Sequence, residues 1–401
     1  MARTKAILPE GVRITDYISL GVIHKTFPLE LIRTILTQTG KASKRERDLP
    51  AHVMVYYIIA MVLFMPVCCR EVLRYLFEGL RWLPGPDHMV HIADKAAISR
   101  ARDRLGWEPI QALYEEIVRP IATRLTRGAW YRGWRITSLD GSALDIPDTP
   151  ANRKAFGRPG SSRGKSAFPK IRFVSLLENG THVLFGAVMG RFSRSEMSLA
   201  KDVLKHLKPG MLCLADRYFF CFKLWKMARA TGADLVWRIK KSRRFTCIKR
   251  FPDGSYLSVI NPSKRGRGMF VRVIEYTLEG VPGAEPVYRL VTTILDWKKA
   301  PAQELAALYH ERWEIEGSLD ELKTHLRGAR IVLRSRTPKL VKQEFYGMML
   351  AHFSIRGLMH EAALKGDRDS DTLSFVHTVR VIRRKLPLLA AFPPSGPTGV
   401  P

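Results

Sequence analysis

The chain has 401 residues, 46% of them hydrophobic, and carries 66 Lys and Arg against 37 Asp and Glu, for a formal charge of +29 and a pI near 10.2. This length and apolar content suit a soluble globular protein of two or three domains with a sizeable core. A charge far beyond what solubility needs makes a polyanion the natural partner, either nucleic acid or an anionic membrane surface.

The first elements are helical. From about Phe27 to Trp130 the pattern is helical throughout, beginning with LELIRTIL. The run VMVYYIIAMVLFMPV, Val53 to Val67, is shorter than a bilayer span, contains Pro66 and has basic flanks, so it predicts a buried helix and disfavours a membrane partner. The amino terminus, MARTKAILPEGVRITDY, lacks an apolar core of secretory length, so the expectation is a cytosolic protein. Cys68, Cys69, Cys213, Cys221 and Cys247 are odd in number and form no CxxC pair, which argues against a disulfide framework or a zinc site. EVLRYLFEGLRWL and the loop Pro84 to His88 lead to DKAAISRARDRLG, basic through Lys95, Arg100, Arg102 and Arg104 and stopped by Gly106 before WEPIQALYEEIV. That pair reads equally as a DNA-reading helix-turn-helix or as ordinary packing.

At Trp134 the period changes. RITSLDGSAL, IRFVSLL and THVLFGAVM read as three strands of a meander, with Asn179-Gly180 as the turn between the last two. A helix follows in SEMSLAKDVLKHL, capped by Ser195, then the buried strand MLCLAD, a helix from about Phe222 to Ala230 and the strand DLVWRIK. This order predicts an α/β domain on a mixed sheet. Between Arg238 and Arg272 eleven basic residues face the single acid Asp253, marking a basic, strand-rich insertion. YRLVTTIL resumes the strands, and beyond about Asp367 come basic VRVIRRK and a disordered-looking end, FPPSGPTGVP.

Acids are scarce, so their positions inform. Asp140 lies in the first meander strand and Asp216 ends MLCLAD, where apolar neighbours would desolvate it unless a partner is present. In YHERWEIEGSLDELK a regular helix places Tyr309, Arg312, Glu316 and Lys323 on one stripe beside the apolar line Ile315, Leu319, Leu322 and Leu326. Asp320 falls almost on that stripe, and Asp145 or Asp148 can stand in for Asp140 in any scheme. The bland alternative is a solvated face with internal ion pairs. If Asp140, Asp216 and Glu316 converge, their hard oxygens suit Mg²⁺ or Mn²⁺, and two such ions about 4 Å apart can activate a hydroxyl and stabilise the leaving oxygen of a phosphodiester. No acid occurs from Thr149 to Leu177, where Arg153, Lys154, Arg158, Arg163, Lys165, Lys170 and Arg172 can track a phosphate backbone.

LDGSALDIPDT, AFPKIRFVSLLENGTHVLFGAVMG, GMLCLADRYFF and the YxxRxxxExxxxxxK spacing of Tyr309, Arg312, Glu316 and Lys323 resemble the DDE transposases of the insertion sequence 4 family. The resemblance spans roughly Phe27 to Gly357. It implies an RNase H-like mixed-sheet catalytic domain with a β-rich insertion, preceded by an all-α domain. The expected organisation is a helical DNA-binding domain over 1–130, catalytic segments over 131–240 and 286–365 around a basic insertion over 241–285, and a basic tail over 366–401. It further implies that Asp140, Asp216 and Glu316 are the catalytic, metal-binding triad. Tyr309, Arg312 and Lys323 become DNA-end contacts, and Asp320 becomes a bystander. Arg217, Lys240, Lys241, Arg243 and Arg244 complete the expected DNA-binding set, although Arg217 can instead pair with a neighbouring acid. The implied activity is Mg²⁺-dependent cut-and-paste on double-stranded DNA by a homodimer near the nucleoid, with no organic cofactor. In some members of the family an aromatic holds a flipped base; Trp237, Phe245, Tyr256 and Trp297 are the residues considered for it, each more readily read as core. Rival readings are a DNA-binding descendant without chemistry and a metal-dependent nuclease without strand transfer. Tyr218 departs from the pattern, which has a small residue there.

Overall fold

The computed structural model describes residues 21–45, 48–79, 92–161, 164–165, 168–261, 266–278, 285–328 and 332–385. The stretch read for a secretory signal, the loop Pro84 to His88, Arg163, the side chain of Lys165, Lys264, Arg265 and the Pro- and Gly-rich end lie outside the described residues.

Helices α1 (Gly21–Thr26), α2 (Leu29–Gln38), α3 (Ala51–Leu63), α4 (Cys69–Gly79), α5 (Lys95–Leu105) and α6 (Glu108–Ile117) come first. Strands β1 (Trp130–Tyr131) and β2 (Trp134–Asp145), helix α7 (Pro150–Phe156) and the short β3 (Gly160–Ser161) and β4 (Gly164–Lys165) follow. Then come β5 (Lys170–Glu178), β6 (Val183–Arg191), α8 (Glu196–Val203), β7 (Met211–Ala215), α9 (Phe222–Arg229) and β8 (Asp234–Arg238). The chain continues through β9 (Lys249–Arg250), β10 (Tyr256–Ile260), β11 (Met269–Tyr276), β12 (Tyr288–Thr292), α10 (Ala302–Tyr309), α11 (Trp313–Asp320), α12 (Pro338–Lys365) and α13 (Phe375–Lys385). Two compact units divide it: 1–119, 144–170 and 320–401 form one, 120–143 and 171–319 the other.

The first unit is helical around α3, whose residues Val53–Leu63 are all buried, as a helix apolar on every side must be. No described helix is long and apolar enough to cross a membrane. The end of α3 carries no basic residue of its own, and arginines from far along the chain take the last helical carbonyl and those of the turn just beyond it. Arg383 Nε donates to Leu63 O at 2.5 Å, and Arg334 Nη2 donates to Phe64 O at 2.8 Å, to Val67 O at 2.6 Å and also to Met65 O. Helix α12 crosses α3 at Gly347, where a Cβ would lie 2.5 Å from Ile58 Cγ2. Arg102 of α5 is buried, donating to Gln343 Oε1 at 3.0 Å and Ser335 Oγ at 2.8 Å, while Lys95, Arg100 and Arg104 face solvent. The helical reading to Trp130 runs too far: α6 stops at Ile117, shortly before Pro120, and residues 118–129 are turn and loop. The helix α13 packs in this unit through Val379, Val381 and Ile382, so VRVIRRK is structured rather than part of a loose end.

The second unit is built on one sheet of order β6-β5-β2-β7-β8-β12-β11-β10-β9, with β1 against β2. Strands β2, β7 and β8 are parallel neighbours, whereas β8-β12, β11-β12 and β10-β11 pair antiparallel. The mixed sheet expected from the element order is therefore present, and the basic insertion does not form a sheet of its own but extends this one. Strand β7 is buried at every residue, as a central parallel strand covered on both faces requires. Ile136, Leu212, Leu214, Val236 and Leu290 share a core with Leu305 and Tyr309 of α10. Trp237 packs edge-on against Trp225 of α9 with ring centroids 5.4 Å apart. The β5-β6 loop has four residues, Asn179 to His182, because the closing pair is Glu178 with Val183; Gly180 takes φ +77° within it.

Candidate active site

Asp140 and Asp216 emerge together because β2 and β7 are parallel in the register Leu139 to Ala215. Each aspartate lies one residue beyond that pair, and adjacent strands are only about 4.8 Å apart. Asp216 Oδ1 accepts from its neighbour Arg217 N at 2.6 Å, and Asp140 Oδ1 accepts from Gly141 N at 2.7 Å.

The third carboxylate arrives on a helix that is not regular. Between α10 and α11, His310–Arg312 tightens to a 3₁₀ turn, and Glu321–Leu326 widens to a π turn. The uniform 100° step behind the stripe therefore holds only in part, and Lys323 lies in the π turn, within the helical unit. Tyr309 leaves the stripe altogether. Its ring is 5% exposed in the sheet's core, and its hydroxyl donates to Ala215 O at 3.3 Å, immediately before Asp216.

Arg312 and Glu316 remain one turn apart. The Arg312 guanidinium, 6% exposed, donates through Nη2 to Glu316 Oε1 at 2.9 Å and holds Asp140 Oδ2 at 3.7 Å. It stands between two acids of the expected triad and offsets their repulsion. Burial opposes its charge, but Tyr309, Glu316 and Asp140 outweigh that and hold its pKa above the usual range. Burial pushes Asp140 up to about 6; Gly141 N–H and Arg312 pull the other way, while Glu196 and Glu316 add to the rise.

A latch that the spacing did not reveal fixes this helix. Asn179 Nδ2 donates to Glu311 O at 2.7 Å, Ser138 Oγ donates to Asn179 Oδ1 at 2.9 Å, and Gly180 N donates to Glu314 Oε2 at 2.7 Å. Gly180 is required here: a Cβ would sit 2.4 Å from Arg127 O. The hairpin thus grips the start of α11, one turn before Glu316. Glu196, also absent from the sequence reading, packs where a Cβ on Gly141 would be, at 2.8 Å. Trp313, beside Arg312 at 5.1 Å, is 58% exposed.

Several expected substitutes and contacts have other partners. Asp145 pairs with Lys170 at 3.0 Å, and Asp148 with Arg153 at 3.5 Å and with Arg158. Arg172 lies 3.8 Å from Glu196. The acid-free stretch is thereby partly neutralised by acids just outside it. Asp320 accepts from Thr324 Oγ1 at 2.5 Å. Arg217 does pair with an acid, Glu285, at 2.8 Å, and Arg238 joins the same carboxylate at 2.9 Å. Lys240, Lys241 and Arg244 are exposed and Arg243 is half-buried; Arg289 Nη1 fastens their loop by donating to Arg243 O at 2.7 Å. Arg272, counted with the basic insertion, is fully buried. Trp237 and Tyr256 are core, which removes them as holders of a base.

Residues 132–354 match the family model described as the transposase DDE domain, and residues 17–115 match that described as insertion element 4 transposase N-terminal. The chain belongs to the insertion sequence 4 family of DDE transposases. It is similar to "Transposase InsG for insertion sequence element IS4" of Escherichia coli (strain K12), 28% identical over 379 residues, 91% of this chain and 83% of that protein. It is also similar to "Putative transposase InsZ" of the same organism, 24% identical over 221 residues, 55% of this chain and 71% of that protein. A DDE transposase domain makes the chain an enzyme of nucleotidyl-transfer type and implies a DNA substrate and a divalent metal. The oxygens present fit such an ion: Asp140 and Glu316 share the Arg312 guanidinium, and Asp140, raised chiefly by burial, is a hard ligand whose charged form a cation would favour.

Proposed function

We propose that this transposase binds the terminal inverted repeats of its element as double-stranded DNA, pairs two ends in a homodimer, cleaves them, and joins the 3′-hydroxyls to target DNA by cut-and-paste at the nucleoid. The observation that carries this reading is the parallel register that brings Asp140 and Asp216 out together, with Arg312 linking Asp140 to Glu316. Two Mg²⁺ ions, or Mn²⁺ in their place, would supply a lowered pKa for the attacking hydroxyl and charge for the leaving oxygen. Asp140, Asp216 and Glu316 would hold them. Arg312, when released from Glu316, offers a planar fork to a phosphate of the DNA end, and Lys323 a point charge to another. Tyr309 acts as a positioning residue, tying the end of β7 through Ala215 O. Lys240, Lys241, Arg243 and Arg244 carry backbone phosphates, as Arg217 does when released from Glu285.

The full chain, given a plasmid bearing the element's ends and Mg²⁺, is expected to excise and rejoin them, and EDTA to abolish both while end binding persists in a gel shift. Cleavage without joining would make the protein a metal-dependent nuclease. Binding without cleavage in Mg²⁺ or Mn²⁺ would make it a DNA-binding descendant.

Cation binding should also depend on pH through Asp140. An acid whose pKa is raised to about 6 loses its charge as pH falls through that value, so the ligand is fully available only above it. Calorimetric titration of the DNA-free protein with Mn²⁺ is expected to show affinity falling about tenfold for each unit below pH 6. A flat profile from about pH 5 to 8 would remove Asp140 from the ligand set.

A further inference from the structure

Beside Asp216 the sheet unit carries a cavity of about 370 Å³, floored by Tyr218, Met197 and Cys221 and rimmed by Arg217, Lys240 and Arg243. A second cavity of about 250 Å³ shares Met197 and Cys221 and adds Lys201 and Lys223. Because they share Met197 and Cys221 the two adjoin, and we treat them as one trough whose lining mixes apolar side chains with the cations Arg217, Lys240, Arg243, Lys201 and Lys223. Tyr218, where the family pattern has a small residue, is 43% exposed and lies edge-on to Phe219. Its backbone is not left-handed, so the turn does not need glycine and the ring is free to serve as a surface. Arg243 stacks over Phe220 at 4.9 Å, and its carbonyl is held by Arg289, so this cation is positioned rather than loose.

An apolar aromatic floor between cations suits a ligand that alternates flat rings with phosphates. In a duplex the base faces are already stacked, so only an unpaired strand can use Tyr218. Two residues of chain keep Tyr218 within about 7 Å of Asp216, close to the phosphodiester that Asp216 would hold. We infer that the trough binds a short single-stranded segment of the substrate DNA next to the cleaved bond, with a base on Tyr218 and phosphates on Lys240, Arg243 and Lys223. This rests on the catalytic reading of Asp216, but its test does not.

The probe is dT12 carrying one 5-iododeoxyuridine, with affinity read by anisotropy and the photo-crosslink mapped by mass spectrometry. The full chain is expected to crosslink at Tyr218, and Tyr218→Ala to bind at least about fivefold more weakly, one stacked base being worth that much. Met197→Trp, which fills the floor, should weaken dT12 similarly, and an abasic oligomer should not distinguish Tyr218→Ala from the unaltered chain. Unfolding midpoints of both variants check that the fold is intact. Duplexes with a short 5′ or 3′ overhang then show which strand enters, by which overhang crosslinks. Equal affinity of both variants for dT12, or a crosslink elsewhere, would overturn the inference. A crosslink at Tyr218 without any cleavage would support the trough while refuting the catalytic reading; cleavage with no crosslink would do the reverse.

Discussion

Glu316→Gln is expected to abolish both cleavage and joining, by at least about a thousandfold, while leaving binding to the element's ends within a few-fold. A loss of that size corresponds to about 4 kcal/mol of transition-state stabilisation, within the range for removing one group that meets developing charge. The substitution keeps an oxygen able to accept from Arg312 Nη2, now at 2.9 Å from Glu316 Oε1, so the geometry of the helix should survive. What disappears is the charge. Glu316 is one of the acids that raise Asp140, so its neutralisation should also bring Asp140 back toward the ordinary carboxylate range. Because the Glu316 side chain is 43% exposed, stability should change by less than about 1 kcal/mol. Retained activity in a well-folded Glu316→Gln would instead place the third ligand at a neighbour such as Asp320.

Glu178→Ala is expected to destabilise the protein by about 3–5 kcal/mol. The Glu178 carboxylate is fully buried; it accepts from Ile121 N at 2.7 Å, Ala122 N at 3.0 Å and Thr181 Oγ1 at 2.7 Å, and it pairs with Arg135. Truncation strands two backbone donors and a guanidinium at once. It also frees the loop whose Asn179 and Gly180 hold the start of α11, so cleavage should fall along with stability. Denaturant unfolding followed by tryptophan fluorescence reads the first effect, with Glu178→Gln, which keeps an acceptor, expected in between. A shift below about 1 kcal/mol would mean that water replaces these bonds.

By itself the sequence determined the charge, the order of helices and strands, the mixed sheet and the family. It also marked Asp140, Asp216, Arg312 and Glu316 as residues worth following, because periods of two and of about 3.6 are local and survive in any environment. Tertiary structure alone decided where the charges are used. Arg102, Arg272 and Arg383 fall in segments that read as basic, and Arg334 drew no reading at all, yet all four are turned inward to satisfy buried oxygens, and the α3-end carbonyls that Arg334 and Arg383 hold lie more than 260 residues away in the chain. Tyr309 looked like part of a polar stripe, but a 3₁₀ turn and the core below the sheet set its direction. The clasp of Asn179 and Gly180 on Glu311 and Glu314 joins residues more than 130 apart, and Glu196 reaches Gly141 across 55 positions. Such pairs depend on strand register and on how elements pack, and no spacing along the chain encodes a contact that only the folded sheet creates.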